Sequence, residues 1–162
     1  MGELQMNVTA KHKKARIFRD FLIETNGVNM FKEEEKENAI LFRSLYPVRE
    51  DDKKQFMLII DDTVYITMQA LIIQQVPEEK RDEMLKLINT IHLEYPTVKY
   101  VLTPTGQVMT SMVFHAHEKN FDPASTLRCI LELFKVITNN HYDRLLKVIT
   151  NNHDDFLLKD ND

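Results

Sequence analysis

The sequence predicts an α+β fold in which runs of adjacent strands form a five-stranded, mainly antiparallel sheet. Apolar residues recur every third or fourth position in three segments, as in helices, and every second position in five others, as in strands. The resulting order, α-β-β-β-α-β-β-α, lacks the strict alternation of strand and helix that parallel sheets require. A chain of 162 residues, 43% hydrophobic and 28% charged, has the size and composition of one folded domain.

The first predicted element is an amphipathic helix from Thr9 to Thr25. Phe18 and Leu22 share its apolar face, and Asn26-Gly27 follows as a stop signal with a residue that tolerates positive φ. The other side carries five basic residues: Lys11, Lys13, Lys14, Arg16 and Arg19. We expect an ordinary solvent-exposed face, and keep contact with nucleic-acid phosphates or an acidic partner as the alternative.

Three strands are predicted to follow in succession. The charged segment Lys32 to Glu37 is expected to be a loop, and the first strand covers Ala39 to Tyr46. A hairpin then joins Phe56–Ile60 to Thr63–Ile73 through Asp61-Asp62. The third strand becomes apolar on both faces toward its end. Because one layer of helices covers only one face, we expect a binding partner on the other.

The second half of the chain is delimited by proline and glycine. Pro77 opens a helix whose apolar stripe includes Met84, Ile88 and Ile91 and which stops at Pro96. Two strands, 98–102 and 107–115, are joined by a turn in which a glycine supplies positive φ. A last helix is predicted to begin at Pro123, capped by Asp122, with this buried stripe: Leu127, Ile130, Leu131, Phe134 and Ile137.

The C-terminal part contains a tandem duplication. Residues 135–146 return as residues 147–158, with ten of twelve positions identical. We therefore predict a single domain over residues 1–146 and a duplicated tail segment over residues 147–162 that is helical or frayed.

The helix period predicts how the two copies are oriented. Twelve residues of α-helix advance about 1200°, which is about 120° beyond three full turns. In a straight helix, Val148 and Ile149 are therefore expected to point away from the stripe that contains Val136 and Ile137. The pairs Asn139-Asn140 and Asn151-Asn152 are poor helix-interior residues, so a break or bend near either pair is the alternative to a straight helix.

The sequence lacks the local motifs of catalytic and cofactor sites. With three glycines in the whole chain, there is no Gly-rich phosphate loop. Cys129 is the single cysteine, which excludes an internal disulfide, and we expect it to be a small buried residue beside the apolar stripe of the last helix.

Two histidines and two acidic pairs are the remaining candidates for chemistry. His115 and His117 are expected to share one face of a strand, and a metal site there would take a third ligand from Glu118, Asp122 or His141. We interpret the histidines as surface groups, and the pairs Asp51-Asp52 and Asp61-Asp62 as exposed turns. The prediction is therefore no enzyme, no metal and no cofactor, with a metal-dependent enzyme kept as an alternative.

Charge and hydropathy indicate the compartment. The formal charge is −4, so nothing in the composition demands nucleic acid, which we expect to be an unlikely ligand. The N-terminal residues do not have the pattern of a secretory signal, and the longest apolar runs are far shorter than the roughly 20 residues of a membrane helix. We expect a cytoplasmic protein that makes no use of a membrane.

Four stretches carry a family resemblance: residues 56–62, residues 87–92, residues 99–108 and Phe121-Asp122-Pro123. Together with the order of elements over about residues 10–146, they resemble the YbjN family of sensory transduction regulators, whose fold is like that of the type III secretion chaperones. His92 stands where the family often has a second asparagine. The resemblance implies an acidic, cytoplasmic, usually dimeric protein that binds other proteins and has no catalytic centre.

These observations together predict a non-enzymatic protein-binding module, chaperone-like or regulatory, that acts as a homodimer. Leu71, Ile73 and Met109 are the candidate residues of an apolar patch that binds a protein or peptide partner. By resemblance, the dimer is expected to use the second helix or the late strands.

Overall fold

A computed structural model describes residues 9–151, in which helices cover one face of an antiparallel sheet. The four α-helices are α1 (Ala10–Glu24), α2 (Arg81–Glu94), α3 (Pro123–Val136) and α4 (Tyr142–Thr150). The strands are β1 (Lys32–Glu35), β2 (Ile40–Arg49), β3 (Asp52–Ile60), β4 (Tyr65–Ile73), β5 (Tyr100–Leu102) and β6 (Val108–His115). The sheet order is β1-β2-β3-β4-β6-β5, and every neighbouring pair is antiparallel. The α+β class and the antiparallel sheet are confirmed.

The sheet has six strands, so the prediction of five is wrong. The additional strand is β1, in the charged segment that was expected to be a loop. It has no apolar alternation, and it is held instead by pairing with β2 and by ion pairs such as Arg19–Glu33 and Arg43–Glu34. A charged edge strand resists pairing with other chains, and its sequence does not have the pattern of a half-buried strand.

Strand β2 is longer than its sequence predicts because Pro47 does not end it. The proline pairs with Lys53 of β3, and the strand continues to Arg49. β1 pairs with β2 only as far as Arg43. Pro47 therefore lies where β2 has a free edge, and a residue without an N–H group is tolerated there.

Helix α1 is defined at its start by a contact distant in sequence and at its end by a local stop. Its start is capped from a distance, because the Lys11 N–H donates to Asp62 Oδ1 at 3.0 Å, and this hydrogen bond lowers the pKa of the Asp62 carboxyl. Its end is followed by Asn26 with φ of 58°, which confirms the predicted stop. The Asp61-Asp62 turn is therefore part of the helix cap as well as of the hairpin.

The core lies between the helices and one face of the sheet. Every second residue of β4 from Ile66 to Ile72 is buried there, together with Phe18 of α1 and Met84 of α2. The predicted stripe of the last helix is wrong at Leu131, which is 39% exposed, and at Leu127, which is half-buried outside the core. Thr126 and Leu133 are buried instead. None of the helices within residues 9–151 is both long enough and apolar enough to cross a membrane.

The two copies of the duplicated segment face the same core, so the expectation that Val148 and Ile149 point away from it is wrong. Val148 is buried and Ile149 packs on the same core as Val136 and Ile137. The reason is a π-helical turn over Ile137–His141, which holds one residue more than an α-helical turn. Twelve residues then advance only as far as eleven in an α-helix, about 1100°, or within about 20° of three full turns. The second copy lies beyond the described residues from position 152 onward.

Candidate functional site

The face of the sheet opposite the helices is open and largely apolar. No described element packs over it, because α1 to α4 all contribute to the core on the other face. The half-buried residues of this open face include Leu41, Met57, Ile59, Leu71 and Met109. Three further apolar side chains are more exposed: Leu45 at 57%, Val101 at 42% and Val113 at 60%.

Strand register places these residues in continuous rows across the sheet. One row runs from Leu41 through Ile59 and Thr67 to Val113. The next contains Arg43, Met57, Gln69 and Ser111, and the third includes Met109 with its neighbours on both sides, Leu71 and Val101. Cross-strand neighbours on one face are in contact, so the rows form one apolar surface with polar groups inside it.

Two of the three predicted patch residues lie together on the open face. Leu71 and Met109 are direct partners across β4 and β6. Ile73 does not join them, because it is only 3% exposed and pairs with Val108. A β-bulge between Leu71 and Ile73 adds one residue to β4 and changes the alternation, which turns Ile73 into the core.

The rest of the open face was missed although its signal is in the sequence. The strand over residues 40–46 alternates, and Leu41 and Leu45 follow from the same period that places Phe42 in the core. Met57 and Ile59 follow in the same way from Phe56 and Leu58. What the sequence does not reveal is that no described element covers this side.

Strands β3 and β4 separate at one end and form a fork. They pair with each other only from Phe56 opposite Ala70 to Ile60 opposite Ile66. Beyond Phe56, residues 52–55 pair only with β2, and residues 71–73 pair only with β6. The fork therefore has two strand edges that face each other without being paired.

A cavity of about 370 Å³ lies in this fork. Its walls come from both strands, with Met57, Leu71 and Met109 on the side of the open face. A second groove of about 400 Å³ lies on the helix side, where Lys54 and Ile72 face the last helix. The two spaces share lining residues, so the fork connects the open face with the end of α4.

Charged groups at the fork are mostly basic. Arg43, Lys53 and Lys54 line the cavity, against one acid, Asp52. Burial tends to raise the pKa of the Asp52 carboxyl, but hydrogen bonds from Tyr142 and Lys54 outweigh it and hold that pKa below its usual range. Lys53 is exposed and has no acidic partner among residues 9–151.

The basic residues of α1 do not form the exposed face that was predicted. Lys14 is fully buried, and its Nζ donates to the backbone oxygens of Thr63 at 2.7 Å and Tyr65 at 3.0 Å. Lys11 is also buried, with its Nζ bonded to the Glu37 carbonyl. The expectation that Lys11 and Lys14 are exposed is therefore wrong, because their ammonium groups donate hydrogen bonds to backbone carbonyls beside the strands.

The other basic residues of α1 are divided between ion pairs and solvent. Lys13 pairs with Glu118 and Arg19 with Glu33. Arg16 is exposed. The helix therefore presents isolated charges instead of one basic stripe of the kind that binds phosphates.

The candidate metal and nucleophilic residues are not brought together. His115 ends β6 and packs against Tyr65, whereas His117 lies in the following turn, where its Nδ1 accepts a hydrogen bond from the Lys119 N–H. Within residues 9–151, no three His, Cys, Asp or Glu side chains are grouped as metal ligands. Cys129 is exposed, so the expectation of a buried thiol is wrong.

A buried polar pair lies under α4 and was not predicted. His141 is fully buried, and its Nδ1 is 2.8 Å from the Tyr100 hydroxyl, while its Nε2 has no hydrogen-bond partner in the described part of the chain. Burial lowers the pKa of His141 and raises that of Tyr100. The pair joins the π-helical turn to β5, and it faces protein on every side, so it is a structural element of the core.

Fold and surface together define an α+β protein built on an antiparallel sheet with one covered and one open face. The fold is similar to the crystal structure of an uncharacterized protein from Methanothermobacter thermautotrophicus, with a TM-score of 0.55 and 15% sequence identity. The similarity covers 84% of this chain and 96% of that one. No family model and no curated protein matches the sequence.

Proposed function

We propose that the chain is a non-enzymatic protein-binding module, chaperone-like or regulatory, that acts in the cytoplasm as a homodimer. The observation that carries the proposal is the set of exposed and half-buried apolar side chains on the open face of the sheet, in two rows separated by the row that contains Arg43, Gln69 and Ser111. Exposed apolar patches with polar groups around them mark interaction sites on proteins. A sheet face of this kind suits an extended segment of another protein, whose alternate side chains would rest on it.

Three further points support this function over the alternatives. The resemblance to the YbjN family, with its chaperone-like fold, implies protein binding without catalysis. The nucleic-acid alternative was based on an exposed basic face of α1, but most of these basic residues are buried or in ion pairs. The metal-dependent alternative depended on His115 and His117, and strand β6 ends before His117.

Binding of an extended apolar peptide tests the proposed function. The probe is a fluorescent synthetic peptide of alternating leucine and serine, with an all-serine peptide as the negative control. We expect binding of the first probe only, and a loss of at least about tenfold in affinity for Leu71→Glu and for Met109→Glu, because each places a carboxylate on the apolar surface.

Ile23→Glu is the matched control, since Ile23 is 57% exposed on α1, a helix that packs on the covered face. It should leave the affinity unchanged. Circular dichroism establishes that each variant is folded. Equal affinity for the wild type and both open-face variants would contradict the proposed binding surface.

The homodimer is tested separately by light scattering at micromolar concentration. We expect a mass twice the 19.1 kDa of the chain. By the resemblance, we expect the interface at the second helix or the late strands, where Leu93 of α2 is 78% exposed and Val101 lies on the edge strand β5. Leu93→Glu or Val101→Glu should then yield a monomer, and a wild-type mass of 19.1 kDa would contradict the dimer.

A further inference from the structure

We infer that the fork between β3 and β4 is the docking site for the chain's own C-terminal segment, residues 152–162. Residues 52–55 and 71–73 present unpaired strand edges toward each other. Such edges bind an added strand through backbone hydrogen bonds. The inference deepens the proposed function, on which it rests, because the fork opens onto the same apolar face.

The position of α4 brings this segment to the fork. Ile149 and Leu146 of α4 line the groove on the helix side of the fork, together with Lys54 and Ile72. The described chain ends at Asn151, whose carbonyl oxygen accepts a hydrogen bond from Lys80 Nζ at 2.7 Å. The segment that follows therefore starts beside the groove, and eleven extended residues span up to roughly 36 Å, enough to pass through the fork onto the open face.

Charge and hydropathy of the segment match those of the fork. Residues 152–162 contain four aspartates and one lysine around an apolar centre, Phe156-Leu157-Leu158. The fork has three basic side chains against one acid, and of these Lys53 has no acidic partner among residues 9–151. In an extended segment, alternate apolar side chains face Leu71 and Met109 on one side and α4 on the other.

Residues 152–158 of this segment are the end of the second copy of the duplication, and both differences between the copies fall in this stretch. The first copy has Tyr142 and Arg144, and the second has Asp154 and Phe156 at the equivalent positions. The substitutions replace a cation by an apolar ring and add a carboxylate. They make the second copy more acidic and more apolar, as a basic apolar cleft favours.

Paramagnetic broadening in the full-length chain tests the docking. Cys129→Ser combined with Lys159→Cys leaves one thiol for a nitroxide label, and Cys129 is exposed, so its replacement leaves the core intact. We expect the amide resonances of Lys53 and Leu71 to lose intensity and that of Asp62, in the hairpin at the opposite end of β3, to keep it. Lys53→Glu should restore the lost intensity, whereas Lys86→Glu on the exposed side of α2 should not.

Mixing distinguishes docking within one chain from docking between chains. Isotope-labelled protein without nitroxide is mixed with unlabelled protein that carries it. Fork resonances that keep their intensity in the mixture support docking within one chain. Fork resonances that lose intensity only in the mixture overturn the inference, because the nitroxide then acts from a second copy of the chain. Unaffected fork resonances in the labelled chain also overturn the inference, while binding of the leucine-serine peptide would still support the proposed function.

Discussion

The two faces of the sheet are built from the same strands and differ in what covers them. On β4, Ile66, Met68 and Ile72 are buried against helices, while Thr67 and Leu71 on the other face are half-buried without a covering element among residues 9–151. Apolar residues occur on both faces, so hydropathy alone does not distinguish them. The difference teaches that burial of an apolar strand face depends on what packs over it, and the proposed function assigns stability to the covered face and binding to the open one.

Methionines on the two faces provide the largest expected contrast in stability. Met68→Ala leaves a cavity in the core and should lower the free energy of unfolding by about 2–5 kcal/mol. Met57→Ala on the open face should lower it by less than about 1 kcal/mol, because that side chain already contacts water. Urea denaturation of both variants measures the difference, and equal losses would show that the open face is in fact covered.

Lys14 provides the next contrast, because it is a charged residue on the covered side. Lys14→Met removes the donor for two backbone carbonyls, and we expect a loss of about 1–3 kcal/mol in the free energy of unfolding. The neighbouring Lys13 is exposed in an ion pair with Glu118, so Lys13→Met should change it by less than about 1 kcal/mol. If both variants are equally stable, the buried ammonium does not support the hairpin.

His141 makes the covered side sensitive to acid. Burial holds its folded-state pKa below 6.5, so between that pKa and 6.5 the unfolded chain binds the proton more readily. The free energy of unfolding should therefore fall as pH drops below 6.5, by at most about 1.4 kcal/mol per pH unit.

His141→Gln keeps a polar group near the Tyr100 hydroxyl and does not titrate. Its stability should fall less steeply with acid than that of the wild type. Thermal unfolding between pH 7 and pH 5 provides both curves, and parallel curves would contradict the buried neutral histidine.

The smallest effect on stability is expected from a charge at the open face. Val113 is 60% exposed, and Val113→Glu should change the free energy of unfolding by less than about 0.5 kcal/mol. The same variant should weaken binding of the leucine-serine peptide, since Val113 ends one of the apolar rows. If Val113→Glu keeps its stability and loses peptide binding, the open face contributes to binding and little to stability. A large loss of stability would contradict this division of roles between the two faces.

Much of the fold follows from local signals in the sequence. The cap at Asp122, the positive φ of Asn26 and Gly106, and the alternation of β4 are all consequences of residues near in sequence. These signals suffice for the class and for the order of the elements predicted from apolar periodicity.

The features that were missed depend on contacts between distant segments. β1 is held by ion pairs and by its neighbour, so the segment has no strand pattern of its own. Lys14 is buried because two hairpin carbonyl oxygens accept hydrogen bonds from its ammonium group, and Ile73 is buried because a bulge shifts its strand. The π-helical turn at Ile137–His141 reverses the expectation for Val148 by adding one residue to a turn.

The candidate site was predicted only in part for the same reason. Leu71 and Met109 come from apolar strand positions, and their direct pairing agrees with the predicted patch. The fork, by contrast, arises because β3 and β4 end their pairing at Phe56 and Ala70 while each continues with another neighbour. No local pattern encodes that separation.

The methyl resonances of the methionines test the central claim, that the open face of the sheet is the protein-binding surface. Met57 and Met109 lie on that face, whereas Met68 and Met84 lie in the core. In a titration with the leucine-serine peptide, we expect the methyl signals of Met57 and Met109 to shift and those of Met68 and Met84 to stay in place. Binding that leaves the signals of Met57 and Met109 unchanged would contradict the claim.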